Sequence, residues 1–223
     1  MGDSIGQVLP FAIGVAISPL PIVAVVMMLS TPRGRLDGPA FLLGWIVALA
    51  VLGTVVLLLS SSAGASDNGQ PSDGTNYLKL GLGILLVGVA WRQFKKRPKE
   101  GEEAELPAWM KTIDSFGPMK ALATSIGLSA LNPKNIILTI GAGAAIAQTG
   151  ASTADQAVAL AVFVLIGALG PGIPVGIYFM MGDRADSILA DLRAWMTREN
   201  ATIMAVICLV IAAKLIGDAV GGF

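Results

Sequence analysis

The sequence predicts an all-α polytopic membrane protein, with six transmembrane helices arranged as two inverted three-helix repeats. Three observations carry that prediction. Of 223 residues, 54% are hydrophobic and only 13% charged, about half the charged share of a soluble domain, and the mean hydropathy is +0.74. Six apolar segments fall at residues 5–30, 38–62, 77–94, 119–148, 154–181 and 201–221, each long enough to cross hydrocarbon. The loops between them alternate in basic charge. The first holds Arg33 and Arg35; the third holds Arg92, Lys95, Lys96, Arg97, Lys99, Lys111 and Lys120; the fifth holds Arg184, Arg193 and Arg198. The second and fourth hold none. Positive loops stay in the cytoplasm, so both termini are expected outside it.

Residues 1–94 then form the first repeat, 95–117 a cytoplasmic linker with an interfacial segment, and 118–223 the second repeat. The N-terminus lacks a basic region and an Ala-x-Ala site, so the first segment is expected to be a mature span rather than a signal peptide.

The first span is interrupted mid-way by Ser18-Pro19-Leu20-Pro21. Proline removes a backbone donor and frees the carbonyl one turn earlier. In hydrocarbon those groups need partners, so the break should face protein or a wet cavity. Residues 61–76 read as a flexible polar linker between the second and third spans. Lys79, three residues into the third span, is expected to snorkel to the outer interface. The linker after Phe94 starts basic and turns acidic at Glu100, Glu102, Glu103 and Glu105. Trp109, Met110, Ile113 and Phe116 share one helical face, as on a helix lying in the interface.

The fourth span carries a second break, Asn132-Pro133-Lys134-Asn135. Ser18-Pro19 and Asn132-Pro133 lie at matched depths in spans entered from opposite sides. With three spans per half, the second copy is inverted, and a shared midplane site is the expectation for such a transporter. Ser18, Pro19, Pro21, Asn132, Pro133, Lys134 and Asn135 are therefore the candidate substrate-binding or gating residues. A lysine at mid-span costs about 2.5–3.5 kcal/mol on insertion scales. Lys134 either meets an anion or carboxylate there, or snorkels or caps a broken helix.

In the fifth span, Gly170-Pro171-Gly172-Ile173-Pro174 should break or strongly kink the helix, making Pro171 and Pro174 candidate hinge residues or simple packing kinks. Residues 183–200 read as an amphipathic surface helix, with Ile188, Leu189, Leu192, Trp195 and Met196 on one face. In the sixth span Lys214 and Asp218 stand one turn apart, as an ion pair or a charge relay. Glycines 53, 81, 83, 88, 141 and 143 are read as close-packing positions.

Other chemistries find little support. Histidine is absent and formal net charge is zero, which removes the commonest general base and metal ligand and any basic footprint for nucleic acid. The lone Cys208 reads as a small buried apolar residue. No catalytic set, metal cluster or Walker A motif is found, so the chain is not expected to be an enzyme or to hold a cofactor.

The Leu131-Asn132-Pro133-Lys134-Asn135 run resembles the mark of the LysE superfamily of six-span exporters. Ser18-Pro19-Leu20-Pro21, Thr31-Pro32-Arg33-Gly34-Arg35 and Phe41-Leu42-Leu43-Gly44-Trp45 narrow the resemblance. They are similar to the GAP family of sulfolipid-1-addressing or peptidoglycolipid-addressing proteins of mycobacteria and relatives. That resemblance implies a bacterial plasma-membrane protein that helps move a glycolipid, alongside a larger lipid transporter or further copies of itself. Many LysE-type exporters carry Pro-Gly-Pro where this chain has Ser-Pro-Leu-Pro, which weighs against an amino-acid cargo. Export of a small solute and a non-transporting accessory role remain the alternatives.

Overall fold

The computed structural model describes residues 2–62, 66–67, 70–71, 73–95 and 108–222, without the side chains at 62, 66–67, 70–71, 73, 75, 108–109, 111 and 183. The linker's charge runs, most of the polar second loop and the Trp109 side chain lie outside this description.

Eight α-helices dominate the described residues: α1 Gly2–Ala16, α2 Pro19–Leu29, α3 Gly34–Ser62, α4 Asp73–Lys95, α5 Pro118–Ala130, α6 Pro133–Gln148, α7 Thr153–Met180 and α8 Ala185–Val220. Two 3-10 helices, Ala108–Ser115 and Gly182–Arg184, precede α5 and α8. The remaining pairing is two residues long, Ser66–Asp67 with Gln70–Pro71. Leu58, Leu85, Leu165 and Val210 each expose more than half of their surface. Apolar surface of that extent is unfavourable in water and fits the acyl region of a bilayer.

By length and composition α3, α7 and α8 qualify as membrane spans, and α1 with α2, bent by 52°, makes a fourth. The count of six is not reached on those criteria. The third segment became α4, whose lower hydropathy reflects Asn76 and Lys79 near one end and Arg92, Gln93 and Lys95 near the other. The fourth is divided into α5 and α6, 13 and 16 residues long.

Both expected breaks are present, for one physical reason. A residue preceding proline is pushed out of the helical region, and a proline in a first helical turn loses no bond, because those amides have no intrahelical acceptor. Ser18 is extended (φ −95°, ψ 109°) and caps α2, with Pro19 and Pro21 in its first turn. Asn132 does the same for α6 (φ −78°, ψ 114°), with Pro133 at its first position.

The break that the fifth segment could have carried is absent. Helix α7 runs unbroken through Pro171 and Pro174. Pro171 cannot donate to the Gly167 carbonyl, but the Trp45 indole N–H does so instead, at 3.1 Å. A donor from α3 thus replaces the missing one. Trp45→Phe should therefore destabilise the protein by about 1–3 kcal/mol, the penalty for a buried polar group left unpaired. Adding Pro171→Ala, which restores a donor within α7, should recover most of that loss. Thermal unfolding of the two single variants and the double variant in detergent checks this.

Three further expectations are corrected. The amphipathic stretch at 183–200 is not a separate surface helix: from Ala185 it joins the sixth segment in α8, about 54 Å long at the helical rise. No proline or glycine stands between Ala185 and Gly217 to stop it. Leu189 and Met196 are buried in that stretch, while Trp195 is exposed. The segment before α5 is a 3-10 helix rather than an α-helix, and it packs against α2 with Met110 and Ile113 in the core. Lys79 does not snorkel; it is 8% exposed and lies within electrostatic reach of Lys214 and Asp218 on α8.

Helix α1 packs on α7 and α3 on α5; α2 meets α8 and α7; α6 meets α4 and α3; and α4 lies along α8. Trp45, Phe41, Phe11 and Phe163 are the bulkiest apolar side chains enclosed. Two glycines set close approaches between helices distant in the sequence. A Cβ on Gly44 would collide with Ser125 Oγ and stand 2.6 Å from the Leu122 carbonyl oxygen, and one on Gly170 would collide with the Ala16 carbonyl oxygen. The close-packing reading also holds for Gly53, Gly83, Gly141 and Gly143, but a Cβ on Gly81 or Gly88 would meet nothing.

Candidate functional site: two broken helices around one cavity

The helix breaks come together in space. Lys134, second residue of α6, donates its backbone N–H to the side chain of its own cap, Asn132, at 3.0 Å. Its ammonium crosses to the other break, donating to the Gly14 carbonyl at 2.7 Å and the Ser18 hydroxyl at 2.6 Å. Gly14 lies in the last turn of α1. Carbonyls there have no intrahelical donor, and the negative end of the helix dipole favours a cation. The Ser18 hydroxyl in turn donates to Asn135 Oδ1 at 3.4 Å. Lys134 and Asn135 are both 1% exposed. Of the two roles weighed for Lys134, the observed contacts are those of a helix cap, with the cap belonging to the other break. The network is not saturated: Asn135 Nδ2 and Ser129 Oγ are buried without hydrogen-bond partners.

Beside this joint lies a cavity of about 640 Å³. Ser18 and Pro21 line it from the first break, Asn132 and Pro133 from the second. Gln93 of α4, Thr124 of α5 and Asn200 of α8 add neutral polar groups; Leu20, Leu128, Phe116 and Met204 add apolar surface. None of the described lining residues is charged. Lys134 and Asn135 stand behind the wall rather than in it, and Pro19 is buried and does not line it.

The other candidates lie outside this cavity, although Pro171 and Pro174 stand close to the first break. Pro171 is buried in α7, and Pro174 lines a second, wholly apolar pocket of about 300 Å³ with Ile13, Ile17, Ile22 and Met196. Lys214 and Asp218 pair at 2.5 Å near the C-terminal end of α8, whereas Asn200 lies near its middle. Cys208 is free and buried in the same helix. Gln93, Thr124 and Asn200 escape a sequence reading because a single amide or hydroxyl in a helix is ordinary; only their depth relative to the two breaks could have singled them out. Trp45 escapes it because its acceptor is freed by a proline 126 residues later in the chain.

These features define a helical membrane protein organised on two proline-broken helices that share one cavity. The chain belongs to the family described as Sap, sulfolipid-1-addressing protein, which matches residues 8–221. Membership assigns it a lipid-related role at a membrane. No curated protein and no solved structure matches the chain.

Proposed function

We propose that this protein moves a glycolipid, or another amphipathic lipid-linked substrate, across the bacterial plasma membrane by alternating access. The observation that carries this reading is the cavity wall. Both helix breaks contribute to it, and its polar groups are amides and hydroxyls without formal charge. Such groups hydrogen-bond the hydroxyls of a sugar, and the wall brings no charged side chain to pair with the ionic groups of a free amino acid or a cation. Leucines, methionine and phenylalanine in the same wall suit the start of an acyl chain. Lys134 then acts as a positioning residue, holding the breaks together so that Ser18 and Asn132 face one cargo. An enzyme is the weaker reading, because this wall offers no acid–base pair.

The packing supports the inverted repeat. Exchanging α1 with α5, α2 with α6, α3 with α7 and α4 with α8 maps the α1–α7 contact onto α5–α3 and the α2–α8 contact onto α6–α4. In that arrangement α4 and the α5–α6 pair complete six spans, as in the LysE superfamily. The basic loops favour an orientation with both termini outside the cytoplasm. The low charge of the chain's core leaves energy coupling to a larger lipid transporter or to an ion.

Reconstitution into liposomes with labelled glycolipid and labelled amino acid tests the reading: the glycolipid should move and the amino acid should not. Asn132→Ala should slow that movement about tenfold or more and lower stability by about 0.5–2 kcal/mol through loss of the cap. Asn132→Asp keeps an acceptor for the Lys134 N–H but loses the amide donor. It should restore stability and not movement. Amino-acid movement alone, or full movement by Asn132→Asp, would sink the proposal.

A further inference from the structure

The polar ties between helices are unevenly distributed along the bundle. Among the described residues, three lie at the end formed by the start of α1 and the end of α8. Ser4 and Thr149 join α1 to α6 at 3.0 Å, Asn76 joins α4 to the Gly222 carbonyl beyond α8 at 2.7 Å, and Lys214 of α8 donates to Gln7 of α1 at 3.2 Å. The remaining side-chain bonds between α-helices sit mid-bundle, at Lys134 with Ser18 and at Trp45. The cavity lies toward the other end: Gln93 in its wall is 17 residues along α4 from Asn76, roughly 25 Å at the helical rise.

Between the cavity and the tied end, the half-helix α1 lies against α8 on one side and α6 on another. Helices α1 and α8 run antiparallel: Gln7 meets Lys214, and Gly14 faces Ile207 and Ile211. At the next turn this seam ends on Ser18 and Met204, both in the cavity wall. The contact is thin compared with that of α4 along α8 or of α1 along α7. Its polar fastening is Lys214, whose ammonium pairs with Asp218, bonds Gln7 and stands 5.6 Å from the centre of the Phe11 ring, a distance at which cation and ring attract. Asp218 also has the buried Lys79 within electrostatic reach. If Lys214 lets go of Gln7, the carboxylate therefore stays neutralised on the α4–α8 side. Helix α1 already bends by 52° from α2 at Ser18-Pro19, which gives it a pivot.

We infer that the seam between α1 and α8 is the gate at the end remote from the cavity, and that Lys214 bonded to Gln7 is its latch. The gate rests on the alternating-access reading but not on the identity of the cargo. Opening swings α1 about Ser18 away from α8, carrying Gln7 and Phe11 off Lys214 and exposing the cavity to the far face of the membrane.

The test places a single reporter thiol in the cavity wall, Leu128→Cys in a Cys208→Ala background, in sealed vesicles. A membrane-impermeant charged thiol reagent is added to one face and then to the other. Latched protein should label from the cavity's own face only. Gln7→Ala, a truncation of an exposed side chain that does not threaten the fold, should raise labelling from the remote face about tenfold, and Lys214→Met should do the same. Asp218→Asn leaves the bond across the seam in place and should not. Unchanged remote labelling in Gln7→Ala and Lys214→Met overturns the latch, as does an equal rise in all three variants. Because labelling needs no cargo, a glycolipid that fails to move would leave the gate standing. An unresponsive gate would leave the cargo site standing.

Discussion

Lys134→Met is expected to abolish lipid movement while leaving a folded protein. The substitution keeps the length and apolar stem of the side chain and removes only the ammonium. Its stability effect is the balance of opposing contributions. The Gly14 carbonyl loses its donor, worth about 1–3 kcal/mol for a buried group left unpaired, while the desolvation of a charge at mid-bundle disappears. The Ser18 hydroxyl keeps its bond to Asn135. The net change in unfolding free energy should stay within about 2 kcal/mol. Transport should fall much further, because the Gly14 carbonyl at the end of α1 is then no longer held to the start of α6, and the 3.4 Å bond from Ser18 to Asn135 is the one polar tie left to keep Ser18 and Asn132 in one wall. Liposome transport and thermal unfolding of the same preparation separate the effects. Normal transport with a destabilised protein would show that the lysine serves the fold alone.

The second large effect is structural. Gly44→Val should prevent stable assembly of α3 on α5. The new side chain would run into Ser125 Oγ and the Leu122 backbone, with the Leu122 carbonyl oxygen 2.6 Å from the Cβ alone. A flexible side chain could turn aside, but helix backbone cannot, so the helices must separate. Overpacking of a well-filled contact typically costs about 1–3 kcal/mol; against backbone the upper end or beyond is expected. Gly88→Ala is the matched control. It is exposed on α4 with nothing within reach of a new Cβ, and alanine favours the helix there by up to about 1 kcal/mol. Size-exclusion profiles in detergent should show loss of the monodisperse peak for the first variant and none for the second.

The parts of this architecture that were legible in the sequence are those set by local chemistry. Ser18-Pro19 and Asn132-Pro133 announce helix starts because a small polar cap followed by proline satisfies the backbone only at a first turn. Their matched depth pointed to a shared site, and the Lys134 bonds to Gly14 and Ser18 join them. What failed depended on distant partners. Pro171 promised a break that the Trp45 indole repairs from α3. Lys79 looked like an interfacial lysine because the charges near it come from α8. Residues 183–200 looked separate because amphipathic and apolar stretches were assumed to be different helices, yet nothing in their chemistry ends one before the other begins. The cavity walls at Gln93, Thr124 and Asn200 are products of packing alone.

The claim that the joint between the broken helices is the cargo site is tested most directly by filling its cavity. Leu128→Cys, in the Cys208→Ala background, places a thiol in the wall, and a bulky methanethiosulfonate can then be attached and later released by reductant. Movement of labelled glycolipid is followed in one set of liposomes before attachment, after it and after release. The account predicts movement that stops on attachment and returns on release. Movement that continues undiminished with the cavity occupied would contradict it.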